Sequence, residues 1–181
     1  MKIIFLGSQG SGKSTQARLA AEYLGAPHIE MGQLFRDKAK QNDQVAMAIK
    51  EALDLGNLVP DDVANTTLKE RLSKPDCATS YVLDGFPRNY AQVEGLPQDI
   101  DKVFYIKVSD NEGIKRLLER ARHDDNLDSI TRRLELYHKE TEPLLSYFKQ
   151  KGILVEINGE RSIEAIHDDI VKELEKIDGK T

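Results

Sequence analysis

The sequence predicts an α/β fold in which helices cover both faces of a parallel sheet. Short, almost wholly apolar segments alternate along the 181 residues with segments of helical periodicity, and a glycine-rich loop joins the first apolar segment to the first helix. Strands buried on both faces are nearly continuous apolar runs, and their alternation with helices produces crossovers on both sides of one sheet. Folds of this class bind ligands at the carboxyl ends of their strands.

The predicted elements follow from these apolar runs and from the helical spacing of apolar residues. The first strand covers residues 2–6 and ends at Gly7, and the first helix covers residues 16–24 and ends at the Gly-Ala-Pro of residues 25–27. No internal repeat or long linker interrupts the chain, which predicts a single domain over residues 1–181 with a frayed tail at 178–181. Further strands are predicted over residues 81–83, 103–106 and 153–157, and further helices over residues 32–40, 44–55, 61–72, 110–122, 128–151 and 162–177.

The loop after the first strand has the sequence of a phosphate-binding loop. Residues 7–14, GSQGSGKS, match the pattern G-x-x-x-x-G-K-[ST] between a predicted strand and a predicted helix. Glycines let backbone N–H groups turn inward around phosphate oxygens, and the helix N-terminus adds its positive end. Lys13 is expected to reach the β- and γ-phosphates, with the Ser14 or Thr15 hydroxyl near Mg²⁺. A flexible turn is the alternative, but a chance match in a chain of this length is on the order of one per cent.

A second group of polar residues follows the predicted strand 81–83. Residues 84–88 read Asp-Gly-Phe-Pro-Arg, and Gln92 lies one helical turn beyond Arg88. A carboxylate such as Asp84 can organise Mg²⁺ through water, and Arg88 presents a planar fork to a phosphate. The Gln92 amide offers a donor and an acceptor to a base edge. Alternatively, Asp84 is a turn residue and Gln92 lies on a solvated helix face.

Together these motifs resemble the adenylate kinase family of nucleoside monophosphate kinases. The similarity covers nearly the whole chain, and the segment from Leu83 to Arg88 is nearly diagnostic. The resemblance implies a three-layer α/β/α fold with a five-stranded parallel sheet and an inserted helical segment, residues 31–72, that binds the nucleoside monophosphate. It also implies reversible phosphoryl transfer, ATP plus AMP giving two ADP, with Mg²⁺ bound through the ATP phosphates and water and with Ser14 and Asp84 as candidate ligands.

The resemblance also implies individual residue roles. Lys13 corresponds to the lysine that holds the triphosphate, Gln92 to the side chain that reads adenine, and Arg36 with Arg88 to the pair that grips the monophosphate. The predicted catalytic residues are Lys13, Arg88, Arg120, Arg122 and Arg133, with Asp124 and Asp125 as the acidic pair that orders the arginines. The predicted ATP-binding residues are Gly10, Ser11, Gly12, Lys13, Ser14, Thr15, Arg116 and Arg161. The predicted AMP-binding residues are Met31, Gly32, Arg36, Leu53, Val59, Gly85, Arg88 and Gln92.

The sequence departs from the family pattern at the lid and at several single positions, among them Gln9, which replaces a common proline, and Ser14, which replaces a common glycine. Only residues 121–123 separate Arg120 from Asp124, so the mobile lid is predicted to be reduced to a short connection near residues 121–126. Its loss is expected to weaken ATP retention or to permit ATP hydrolysis, and a neighbouring subunit is hypothesised to cover the site. Met31 and Gln33 replace the usual threonine and aspartate near the acceptor. Gln92 still favours AMP over UMP or CMP.

The composition argues against several classes of protein. The net charge of -5 has the wrong sign for a protein that coats nucleic acid, and one cysteine with four scattered histidines predicts no structural zinc. No apolar run is long enough to cross a membrane, and the N-terminal run is too short for a signal peptide, so a cytoplasmic protein is expected. The family resemblance implies a monomer. Two alternatives remain open at this stage: a pyrimidine (UMP/CMP) monophosphate kinase, and a low-turnover module that senses adenine nucleotides.

Overall fold

A five-stranded, all-parallel sheet forms the centre of the molecule. The structure is a computed structural model that describes residues 1–120, 127–177 and 179. The strands lie in the order β2-β3-β1-β4-β5, and this confirms the predicted α/β fold with five parallel strands. Their bounds are Lys2–Leu6 (β1), His28–Glu30 (β2), Tyr81–Asp84 (β3), Lys102–Lys107 (β4) and Leu154–Asn158 (β5).

The helices connect these strands and differ from the predicted ones in a few places. The helix predicted over residues 128–151 is divided, because a π-helical turn, Tyr137–Thr141, and Pro143 separate two α-helices. Strand β2 and the short helix after β3 were not predicted. The α-helices are Lys13–Leu24 (α1), Met31–Lys38 (α2), Gln44–Asp54 (α3), Asp61–Leu72 (α4), Tyr90–Val93 (α5), Asp110–Arg120 (α6), Leu127–Leu136 (α7), Leu144–Gln150 (α8) and Ile163–Ile177 (α9).

The alternation of side chains along β1 produces the three layers. Ile3 and Phe5 belong to one buried cluster, and Ile4 and Leu6 belong to another. Successive side chains of a strand point to opposite faces of the sheet, so the two clusters are the cores on its two sides. Helices α1 and α9 contribute to the cluster of Ile3, and helices α4 and α8 contribute to the cluster of Ile4. Helices therefore cover both faces, as an α/β/α sandwich requires.

The segment from α2 to α4 has a small apolar cluster of its own. Ile49, Ala52 and Val59 are buried there, with Phe35 and Leu53 packed against them. Helix α3 begins at a local signal, because the Asp43 carboxylate accepts a hydrogen bond from the Ala46 N–H at 2.7 Å. Within the described parts of the chain, no helix is both long enough and apolar enough to cross a membrane.

The strand order determines where a ligand fits. Strand β1 pairs with β3 on one side and with β4 on the other, so the chain changes direction across the sheet at β1. A crevice forms outside the carboxyl ends of parallel strands at such a switch point. The loop that follows β1 is the predicted phosphate-binding loop, and the residues that follow β3 begin with Gly85 and lead to Arg88. Both predicted motifs thus lie at the same edge of the sheet.

Candidate active site

The loop between β1 and α1 has the backbone geometry of an anion site. Gly10 and Gly12 have φ angles of 79° and 87°, in the left-handed region that favours glycine. A Cβ atom at Gly10 would lie 2.2 Å from the backbone oxygen of Gly113, so only glycine fits between this loop and α6. Gly12 is the N-cap of α1, and no side chain caps that end of the helix. The first N–H groups of α1 can therefore bind phosphate oxygens.

Lys13 is the first residue of α1 and is buried at the base of this loop. Its side chain is 8% exposed, and its Nζ donates a hydrogen bond to the Ser8 carbonyl at 3.2 Å. The pKa of Lys13 is lowered to about 8, mainly by burial and then by the positive charge of Arg88, while the carboxylate of Asp84 partly opposes both effects. Arg120 also lowers it. A bound polyphosphate would stabilise the charged form of this buried amine and reduce its repulsion from the two arginines.

Arg88 occupies the loop after β3 and is held from two directions. Its Nε donates a hydrogen bond to the Gly85 carbonyl at 2.9 Å, and its own carbonyl accepts one from the Thr141 hydroxyl at 2.7 Å. Burial lowers the pKa of Arg88, Asp84 raises it, and nearby Arg133 lowers it. Arg88 and Arg133 therefore lie close enough to repel each other. A bound anion would reduce that repulsion.

Asp84 fits the role of an outer ligand to Mg²⁺. The residue is 2% exposed, and its Oδ1 has no hydrogen-bond partner among the described residues. A buried carboxylate oxygen without a partner is costly unless a cation, a water molecule or a ligand reaches it. Ser14 lines the same cleft and supplies a hydroxyl. No cluster of His, Cys, Asp and Glu side chains capable of holding a metal is found in the described parts of the chain.

One cleft of about 640 Å³ contains nearly all the predicted site residues. Met31 is the exception, because it is fully buried in the core cluster of Ile4 and does not line the cleft. Arg122, Asp124 and Asp125, and with them the predicted lid connection, lie outside the described residues. The predicted residues that line the cleft are Gly10, Ser11, Gly12, Lys13, Ser14, Thr15, Gly32, Arg36, Leu53, Val59, Asp84, Gly85, Arg88, Gln92, Arg116, Arg120, Arg133 and Arg161.

Arg116 is positioned by three contacts. Its Nε donates to Glu112 Oε1 at 2.7 Å, its Nη2 donates to the Gly159 carbonyl at 3.0 Å, and its Nη1 lies 3.4 Å from the Ser11 carbonyl. These contacts join α6 to the phosphate-binding loop and to the loop after β5. Arg161, in that second loop, pairs with Asp169 at 2.6 Å. Both arginines line the cleft, and Arg116 is the more firmly positioned of the two because its contacts reach two loops.

Arg36 lies on α2 and is surrounded by acceptors. Its Nη2 donates to Glu30 Oε1 at 2.8 Å and to Gln33 Oε1 at 2.9 Å. Gln33, which stands where the family usually has aspartate, is thus in direct contact with an arginine of the site. Its amide also donates to Asp37 Oδ1 at 3.1 Å. The guanidinium group of Arg36 lines the cleft, where a bound phosphate can replace Glu30 and Gln33 as its hydrogen-bond acceptor.

The Gln92 side chain is buried, which excludes the solvated-face alternative. It is 2% exposed and lines the cleft. Its Oε1 accepts from the Arg88 N–H at 2.8 Å, and its Nε2 donates to Asp61 Oδ1 at 2.8 Å. Asp61 was not among the predicted site residues.

Several other lining residues were not predicted. Tyr137 and Thr141 lie on the π-helical turn, Glu30 ends β2 and precedes α2, and Phe35 lies within α2. Burial raises the pKa of Tyr137 well above its ordinary value. The sequence offered one signal for the first pair, since Pro143 interrupts the predicted long helix near them. The sequence offered no signal for Glu30. This residue is the last of the three in β2, and a strand of that length is too short to be detected by periodicity.

Comparison with known proteins identifies the family. The sequence model of a family described as "Adenylate kinase" matches residues 5–153. The chain belongs to the adenylate kinase family. Adenylate kinases from Caldanaerobacter subterraneus subsp. tengcongensis and Bifidobacterium longum are 35% and 38% identical to it, covering 96% and 97% of this chain and 96% and 100% of their own lengths. The adenylate kinase of Archaeoglobus fulgidus is 34% identical over 98% of this chain and 99% of its own.

Membership in the adenylate kinase family decides between the function classes that the sequence left open. The chain is an enzyme, a nucleoside monophosphate kinase, and adenylate kinase activity is supported over both the pyrimidine kinase and the sensor alternatives. Relatives of two lengths occur. The Caldanaerobacter alignment extends over 212 positions although this chain has 181 residues, whereas the Bifidobacterium alignment extends over 186. The short chain is consistent with a form of the family that has no lid.

Proposed function

We propose that the chain transfers the γ-phosphoryl group of ATP to AMP, reversibly, giving two ADP. The observation that supports this most is that one cleft of about 640 Å³ is lined both by the phosphate-binding loop and by the arginines predicted to hold a monophosphate. A triphosphate and a monophosphate bound there together would bring donor and acceptor phosphates into contact. A P-loop switch or sensor would need only the first half of this arrangement.

The ATP side consists of the loop and the walls beside it. The backbone N–H groups around Gly10 and Gly12 and the N-terminus of α1 would surround the β-phosphate, and Lys13 would neutralise the γ-phosphate. Arg116, fixed by its three contacts, would stack on the adenine ring, and the loop at Arg161 would close that side. Mg²⁺ bound to ATP supplies positive charge to the phosphate oxygens, and Ser14 and Asp84 would hold it.

The AMP side is formed by α2, by α3 and by the loop after β3. Arg36 and Arg88 would bind the monophosphate from two directions, and the backbone at Gly32 and Gly85 permits a close approach. Leu53 and Val59 give the nucleoside an apolar surface. Met31 supports this wall from the core rather than from the cleft.

Transfer itself requires aligned cations and no general base. Lys13, Arg88, Arg120 and Arg133 line one cleft, Arg120 lowers the pKa of Lys13, and Arg133 lowers the pKa of Arg88. Arg120 therefore lies near Lys13, and Arg133 lies near Arg88. In a metaphosphate-like transition state the charge is spread over the equatorial oxygens, so fixed cations around them supply most of the acceleration. The acceptor is a phosphate that is already ionised, and therefore no proton has to be removed.

The test is a coupled assay of ADP formation from ATP and AMP. We expect Lys13→Ala, Arg88→Ala and Arg133→Ala each to lower kcat/KM by about a hundredfold or more. Arg132→Ala is the matched control, because Arg132 is exposed on the same helix as Arg133 and does not line the cleft. Wild-type rates equal to those of the three site variants would reject the proposal and favour a sensor. A higher kcat/KM for CMP or UMP than for AMP would instead favour a pyrimidine kinase.

A second part of the proposal concerns the short connection over residues 121–126. A site with so short a connection between α6 and α7 is expected either to hydrolyse ATP without acceptor or to be covered by a second copy of the chain. We propose the second arrangement, a homo-oligomer. Light scattering that gives the mass of one 20.4 kDa chain at assay concentration would reject it. ATP hydrolysis without AMP, measured in parallel, would then indicate how well water is excluded.

A further inference from the structure

The Gln92 amide is held in one of its two possible orientations, and Asp61 holds one end of it. We propose that Asp61, which neither the sequence motifs nor the family comparison assigns to the site, is a positioning residue that sets the base specificity of the acceptor. It fixes the Gln92 amide in the orientation that binds a 6-aminopurine monophosphate and rejects a 6-oxopurine monophosphate. This inference rests on the proposed function and deepens its acceptor site.

The contacts around Gln92 join three elements. The Asp61 Oδ1, at the start of α4, accepts from Gln92 Nε2 and from Asn89 Nδ2, both at 2.8 Å. Asn89 in turn accepts from the Gln92 backbone N–H at 3.0 Å and caps α5. The Gln92 Oε1 accepts from the Arg88 N–H at 2.8 Å. The amide is therefore tied to a residue 31 positions earlier in the chain and to the loop that binds the monophosphate.

These partners permit only one orientation. A backbone N–H such as that of Arg88 can only donate, so the amide atom facing it must be the oxygen. A carboxylate oxygen only accepts, so the amide atom facing Asp61 must be the nitrogen. Turning the amide by 180° would set the NH₂ group against the Arg88 N–H and the carbonyl against the Asp61 carboxylate. Both hydrogen bonds would be replaced by repulsive contacts inside a buried site, where an unpaired polar group costs the most.

The fixed orientation matches one class of base. Among the described residues each amide atom of Gln92 makes one hydrogen bond, which leaves a lone pair on Oε1 and a hydrogen on Nε2 for a ligand. Adenine presents an amino donor at position 6 beside the acceptor N1, which is the complement of that pair. Hypoxanthine and guanine present an acceptor at position 6 beside a donor at N1, the reverse pattern. A free amide can turn to serve either class, and a fixed amide cannot.

The experiment compares AMP with IMP as acceptors, since these differ only at the edge in question. In Asp61→Ala and in Asp61→Ser, which keeps a residue suited to the start of a helix, we expect the ratio of kcat/KM for AMP over IMP to fall about tenfold. Most of the change should appear in KM, because the base is remote from the reacting phosphates. Asp61→Asn retains an acceptor oxygen and is expected to keep the ratio within about twofold of wild type.

Asp62→Ala is the matched control. Asp62 is exposed, carries the same charge and lies in the same first turn of α4, so its removal should change neither acceptor's kinetics. If Asp61 only supports the helix, the rates with AMP and IMP will fall together and the ratio will not move, which overturns the inference. An unchanged ratio in Asp61→Ser does the same if Asp61→Ala fails to fold. Failure of the proposed function is a different result, since wild-type protein would then not use AMP at all.

Discussion

Lys13 is expected to take up a proton when ATP binds. Burial and the neighbouring arginines lower its pKa to about 8 in the free protein, so a large part of the sites are uncharged in weakly alkaline solution. A bound triphosphate places negative charge against Nζ and returns the pKa towards its ordinary value near 10.5. ATP phosphates, with a last pKa near 6, are almost fully ionised at pH 8 and above, so they contribute almost no compensating proton there.

The expected size of the effect follows from that pKa. Lys13 should take up about 0.1 proton at pH 7, about 0.5 at pH 8 and about 0.9 at pH 9, and the last two values are the ones that binding should show as net uptake. By linkage, ATP affinity should be nearly constant below pH 7 and should fall above pH 8, approaching tenfold per pH unit. Isothermal titration calorimetry with a non-hydrolysable ATP analogue measures the uptake, because the apparent enthalpy in two buffers differs by the protons exchanged times the difference in their ionisation enthalpies.

Lys13→Arg provides the control for this experiment. Arginine keeps its charge at every pH used, so its complex should form without proton uptake. Equal apparent enthalpies in both buffers at pH 8 and pH 9 for the wild-type protein would refute the reasoning, since Lys13 would then be fully charged before ATP arrives. Uptake that persists in Lys13→Arg would show that another group receives the proton.

Three further predictions test the fold around the cleft. Gly10→Ala should destabilise the protein by more than about 2 kcal/mol and abolish ATP binding, since its Cβ meets a backbone oxygen. Gly25→Ala, also at positive φ but in open space, should cost only about 1 kcal/mol by denaturant unfolding. The hydrogen bond that His138 donates to the Glu142 carboxylate raises the pKa of His138, so the loss of melting temperature in His138→Gln should be larger at pH 6 than at pH 9. Met31→Thr should lower the free energy of unfolding by about 2 kcal/mol without changing the order of AMP, CMP and UMP as acceptors, measured by urea titration and the coupled assay.

The parts of this structure that depend on local sequence were predictable. Strand β1 is an uninterrupted apolar run, and the loop after it contains its glycines at positions where positive φ is required. The apolar run and the glycine positions can both be read from about fifteen consecutive residues. The fold class could be predicted from the same kind of signal. Buried parallel strands are short apolar runs, and amphipathic helices repeat their apolar residues every three or four positions, so both patterns are visible in the sequence.

Elements that depend on their neighbours were not predictable. Strand β2 has three residues, with half-buried His28 and Glu30 on either side of buried Ile29, and it exists because it pairs with β3. The predicted helix over residues 128–151 is interrupted by the π-helical turn, and at that turn Thr141 donates a hydrogen bond to the carbonyl of Arg88. No period in the sequence encodes that contact, which spans 53 residues.

The candidate site shows the same division between local and long-range information. Family resemblance identified Gln92 and Met31, but it did not indicate that Asp61 holds the Gln92 amide or that Met31 packs into the core. The first contact joins residues 31 positions apart, and the second depends on which side of α2 faces the sheet. Family resemblance therefore indicated most of the described side chains that line the cleft, and the three-dimensional contacts decide which partners each of them has.

The low pKa of Lys13 also implies that the site is built at the expense of stability. A fall from 10.5 to about 8 corresponds to about 3 kcal/mol against the charged lysine, as an upper bound on the penalty to folding. Unfolded chains bind this proton up to pH 10.5 and the folded protein only up to about pH 8, so the penalty is complete below pH 8 and disappears as the pH rises towards 10.5. Lys13→Met, similar in length and uncharged, should therefore raise the free energy of unfolding at pH 7, and the gain should shrink by pH 10. The same variant should lose the increase in melting temperature that ATP gives the wild-type protein, because the charge that destabilises the free site is the charge that binds the ligand. A variant less stable than wild type at pH 7 would mean that the hydrogen bond from Nζ to Ser8 outweighs the cost of burying the charge.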